Sequence, residues 1–143
     1  MLGRKDYTQE EFDQCKATID QQIAAYKALV KAVGGASADK KISAALVAFE
    51  VRFFNNMVLV LDRFFVHRIR PVAGKDGNPL NEVELLAESL INNNGMLRSS
   101  TVIKLIPDQS VLKLHPGDPI RVTQKDFERL LAAFLTDLEA KFL

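Results

Sequence analysis

The stretch Val51 to Arg70, VRFFNNMVLVLDRFFVHRIR, decides the fold. At about 100° per residue, Arg52, Asn56, Arg63, His67 and Arg70 fall within a sector of roughly 60°. Phe53, Phe54, Met57, Val58, Val60, Leu61, Phe64, Phe65 and Ile69 fill most of the remaining circumference. A helix that is apolar nearly all round belongs in the middle of a core, so this segment is read as the central helix, with one narrow polar stripe.

Working outward, helix starts carry a repeated signature of a cap residue, a carboxylate three positions on and a flanking apolar pair. Thr8 caps the first, with Glu11 closing the box and Tyr7 stapling to Phe12; Gly34 and Gly35 end it. Ser37 precedes the second, which runs to Ile69 because Pro71 disfavours helical geometry at Arg70. Asn81 is read as the cap of the third, with Glu84 in the box and Leu80 stapling to Leu85, and Asn92, Asn93, Asn94 and Gly95 as its stop. Thr123 opens the last, with Asp126 in the box and Val122 stapling to Phe127.

The predicted helices cover about 9–33, 38–69, 82–93 and 124–142. Between the third and fourth the periodicity changes. Short β-like runs at about 101–106, 110–114 and 119–122, with a His115-Pro116-Gly117-Asp118 turn, predict a small β-hairpin or an extended excursion. The fold class expected is mainly α, a four-helix bundle-like single domain spanning 1–143.

Composition narrows the function. A chain of 143 residues that is 48% hydrophobic and 26% charged is ordinary globular material. A formal net charge of +1 does not suit a protein that grips nucleic acid by global electrostatics. A winged-helix reader is further excluded because the third helix carries Glu82, Glu84 and Glu88 without a basic residue. The lone Cys15 sits on the apolar seam of the first helix, as a structural thiol of a reducing compartment would. The N-terminus lacks a signal-peptide core, and the uncharged run Phe53 to Leu61 is short for a bilayer. The expected setting is cytoplasmic, with no membrane and no nucleic-acid partner.

Candidate sites follow from the stripe. Arg52, Asn56, Arg63, His67 and Arg70, joined by Arg98 from the NNNGMLRSS segment, carry the guanidinium forks and imidazole that recognise phosphate or carboxylate. The competing reading pairs these cations internally with Glu82, Glu84 and Glu88 on the next helix. Asn92 to Ser100 reads either as a phosphate-contacting turn or as a helix stop. Asn55 and Asp62 must be satisfied by a neighbour's backbone or across a dimer seam. Two histidines, His67 and His115, without cysteine beside them make no zinc spacing.

No catalytic residue, metal or cofactor is therefore expected. The leading functional expectation is a non-enzymatic helical protein acting through self-association or protein partners, a homodimer by motive of Phe12, Phe53, Phe54, Phe64, Phe65, Phe127, Phe134 and Phe142. The alternative is a small-anion or metabolite-binding protein using the Arg/His stripe.

Overall fold

Thr8 opens α1 (Gln9–Ala32) by accepting from the Glu11 N–H at 3.1 Å, while the Glu11 carboxylate accepts from the Thr8 N–H at 2.9 Å. The same reciprocal box, Thr123 with Asp126, opens α4 (Gln124–Phe142). In the computed structural model the described residues are 7–34 and 39–143. The expected Ser37 cap and the Gly35 stop lie outside them. Asp39 caps α2 (Lys40–Val72), accepting from the Lys41 N–H at 2.8 Å.

The third start is corrected. α3 (Pro79–Asn92) is capped by Asn78, whose side chain accepts from the Asn81 N–H at 3.0 Å. Pro79 takes the first helical position, where its missing N–H costs nothing and its φ is already helical. Asn81, fully buried, instead ties down the preceding loop: it accepts from the Gly77 N–H and donates to the Gly74 carbonyl. Leu80 lies inside the helix rather than stapling from outside it.

Four helices share one core. Tyr26 packs on Phe53 and Phe54, while Tyr7 and Phe12 pack on Phe65, so α1 runs antiparallel to α2. Phe127 meets Phe54 and Phe134 meets Phe65, so α4 runs in the same sense as α2. α3 runs against α2, with Glu84 at Arg70 and Leu90 beside Leu59. Five of the phenylalanines that motivate a dimer, Phe12, Phe54, Phe65, Phe127 and Phe134, are buried within this core, and Phe53, Phe64 and Phe142 pack against it.

The β-hairpin is not formed: none of 101–106, 110–114 or 119–122 is a strand, and the described residues contain a single antiparallel bridge, Met96 with Pro119. The His115 to Asp118 turn forms, but it pairs with Gly95 to Leu97 rather than with 110–114. Side chains take the place of a partner strand. Glu82 accepts from the N–H groups of Val111 and Leu112 at 2.8 and 2.9 Å. Asn55 donates to the Ile120 carbonyl and accepts from the Val122 N–H, both at 3.0 Å. This settles Asn55 as a bridge to a neighbour's backbone within the chain. The segment after α3 is thus a strap that runs out to the α2–α3 loop, where Lys104 N–H donates to Lys75 O, and returns. Gly77 is required there: its φ is +86°, and a Cβ would stand 2.1 Å from the Lys104 carbonyl oxygen.

Burial pushes the Glu82 carboxyl above its ordinary value, against the pull of the two N–H donors. Removing it leaves both donors shielded without a partner, each costing about 1–3 kcal/mol. Glu82→Ala is therefore expected to lower unfolding free energy by roughly 2–5 kcal/mol in urea titration, while Glu88→Ala, at the surface, stays close to wild type.

Candidate functional site

α2 is not a uniform helix. Residues Asp62–Val66 form a π turn, in which the His67 N–H reaches back to Asp62 O, and the last turn Arg70–Val72 tightens to 3-10 around Pro71. A π turn inserts one extra residue and shifts all later positions by roughly one residue's rotation, about 100°. The straight sector is therefore bent at the turn: Arg70 turns in to Asp62 and Glu84, while Arg63 and His67 still share a groove with Glu88 and Ile91 of α3, and Arg52 and Asn56 share one with Leu90.

The polar residues line a row of shallow grooves. Arg52 and Asn56 line one of about 360 Å³ with Asn55, Leu59 and Leu90. Arg63 and His67 line a second, of about 410 Å³, with Arg70, Leu59, Glu88 and Ile91. Arg70 and Arg98 line a third, of about 380 Å³, floored by Leu85 and Ile103 and edged by Ser99, Ser100 and Thr101.

Internal pairing accounts for part of the set. Arg70 donates to both oxygens of the buried Asp62 at 3.0 and 3.2 Å, and its Nε lies 3.3 Å from Glu84. Burial raises the Glu84 carboxyl, with Arg70 and Lys75 opposing. Arg98 pairs with Glu88. Glu82 takes no arginine, being committed to the strap. Arg52, Arg63 and His67 make no ion pair among the described residues, and all are exposed. Asp62 is held within the chain by Arg70.

Other candidates have structural roles. Cys15 packs against the core beside Tyr7 and Arg68, and burial raises its thiol. His115 is exposed in its turn. Arg98 follows the α3 stop: Ser89 accepts from its N–H at 3.0 Å, and Asn94 and Gly95 take positive φ. Among the described residues no group of three His, Cys, Asp or Glu is placed to hold a metal ion.

Sequence reasoning missed the other end of α2. Between Tyr26 and Phe54 no described residue is buried. The end of α1 and the start of α2 form a two-helix arm held by the stack of Tyr26, Phe49 and Phe53 and by the Tyr26 hydroxyl donating to Glu50 at 2.8 Å. Burial and Glu50 push the Tyr26 hydroxyl up to about 12. The arm exposes Leu29 (43%), Ile42 (45%), Val47 (62%) and Phe49 (43%). The signal was present as the uncharged run ISAALVAF from Ile42 to Phe49, which has no polar face of its own. By length and composition α2 is apolar enough to cross a membrane, with a mean hydropathy of 1.6 in an 18-residue window of which 22% is buried.

The chain is thus a mainly α protein with shallow polar grooves and an exposed apolar arm. Comparison with protein-family models, curated proteins and solved structures gave no match.

The two arginines separate by their partners. Arg70→Met leaves the Asp62 and Glu84 carboxylates without their arginine, with Lys75 still acting on Glu84, and this together with partial exposure holds the cost to about 1–3 kcal/mol. Arg63→Met should stay within about 0.5 kcal/mol of wild type. Urea denaturation of both variants checks this, and equal losses would refute the division of the stripe.

Proposed function

We propose that this protein acts by association rather than by turnover, on a four-helix bundle scaffold that presents the α1–α2 arm as its contact surface. The carrying observation is the arm itself: four large apolar side chains, each more than 40% exposed, lie within one stretch where nothing is buried. Ile42 and Phe49 share one face of α2 while Val47 stands about 140° round from Ile42 at about 100° per residue, and exposed apolar side chains gathered in one segment are what interaction sites are built from. A second copy is the simplest protein cover. The reading predicts that native wild type binds an apolar dye, and that its mass rises above 16.0 kDa with concentration. Both properties should vanish in Leu29→Gln/Ile42→Gln/Val47→Gln at an unchanged melting temperature. A chain that binds no dye and stays at 16.0 kDa at every concentration removes the reading.

A second reading, a small-anion site, is supported by Arg63 and His67 standing in one groove without an ion pair among the described residues. A ligand that binds only the native state raises its stability. Inorganic phosphate or a sugar phosphate should then raise the wild-type melting temperature, and Arg63→Met should abolish the rise. No shift with any phosphate-bearing compound would set this reading aside.

A further inference from the structure

The arm must be covered by something whose charge suits its surroundings. Ile42, Ala45, Phe49, Arg52, Asn56 and Arg63 fall within roughly 80° of one another on α2, counting about 100° per residue. This outer face is apolar toward the start of the helix and basic toward the π turn. Lys31, Lys40 and Lys41 stand at the end of the arm, and with Arg52 and Arg63 they make five cations without an ion pair among the described residues. Lys40 and Lys41 occupy the first turn of α2, which holds no acid, although the helix dipole disfavours cations there. Each carboxylate near this face has a partner: Asp39 caps the helix, Glu50 accepts from Tyr26 and from the Gln124 N–H, Asp62 is held by Arg70, and Glu88, in the groove of Arg63, pairs with Arg98.

Resting on the reading of the arm as a contact surface, we propose that the outer face of α2 docks on an anionic lipid surface, with Ile42 and the exposed edge of Phe49, whose ring also stacks on Tyr26 and Phe53, at the acyl boundary and Arg52 and Arg63 meeting the headgroups. Apolar side chains beside cations are the signature of a helix lying in the interface plane, and each basic residue near an anionic leaflet adds attraction. Lys31, Lys40 and Lys41 at the tip and Arg52 and Arg63 along the face outnumber the exposed carboxylate among them, Asp39, so the face carries net positive charge, which suits an anionic surface. The helix lies on the surface rather than spanning it, because its later half is enclosed by α1, α3 and α4. The short uncharged run that argued against a membrane in the sequence concerns spanning only.

The test is co-sedimentation of the full chain with vesicles of phosphatidylcholine, with and without phosphatidylserine. Wild type should bind only the anionic vesicles and lose most binding at about 0.5 M salt, where the Debye length is only a few ångströms. Arg52→Glu/Arg63→Glu should weaken apparent affinity at least about tenfold. Ile42→Ser should weaken it without changing the salt dependence. Absence of binding at low salt, or equal binding by the charge-reversed variant, overturns the proposal. A wild type that associates with itself but not with vesicles overturns it while leaving docking through the arm in place. Stabilisation by soluble phosphate without vesicle binding overturns it in favour of the groove at Arg63. A chain that binds neither dye nor vesicles removes both readings.

Discussion

Irregular backbone laid against helices must still find partners for its N–H and carbonyl groups, and the segment between α3 and α4 has almost no ladder to supply them. Side chains of the helices do so instead. Glu82 reaches Val111 and Leu112, Asn55 reaches Ile120 and Val122, and Ser89 reaches Arg98. These bonds join residues far apart in sequence, and they dictate where α4 can begin. The Glu50 carboxylate then accepts from the first N–H of α4, locking its start onto α2. A carboxylate in such a place is worth its desolvation because the alternative is shielded peptide groups left without partners.

This arrangement explains what was legible beforehand. Local chemistry was: Thr8 with Glu11 and Thr123 with Asp126 act within a single turn, and both boxes stand where the residues place them. Asn78 was missed because Pro79 reads equally as a turn residue and as a first helical residue. The β-like runs were misread because alternation reports which side chains face inward, not what the backbone bonds to. Ile103 is buried and Val102 exposed, as in a strand, yet the hydrogen bonds nearby go to Ser100.

The stripe divides by its partners for a different reason. A helical wheel assumes one rotation throughout, and nothing in DRFFV announces a wider turn. Tyr7, just ahead of the Thr8 cap of α1, donates its hydroxyl to the Phe65 carbonyl inside that turn, so a tertiary contact accompanies the change. Arg70 consequently meets Asp62 and Glu84, as internal pairing requires, while Arg52 and Arg63 stay exposed in the grooves beside α3, without an ion pair among the described residues. The exposed apolar arm emerges only once burial is known. A buried and an exposed half of one apolar helix look alike in composition.

The two halves of α2 also differ in how firmly they are held. Protein segments open locally with free energies that follow their buried contacts, from near zero at weakly packed regions to the global value in the core. The arm has rings stacked between its own two helices and little else, whereas Phe54 to Ile69 is enclosed on several sides. The molecule therefore carries a stability gradient along a single helix. The arm is thus the part expected to open first, as a unit of its own, while the body beneath remains folded.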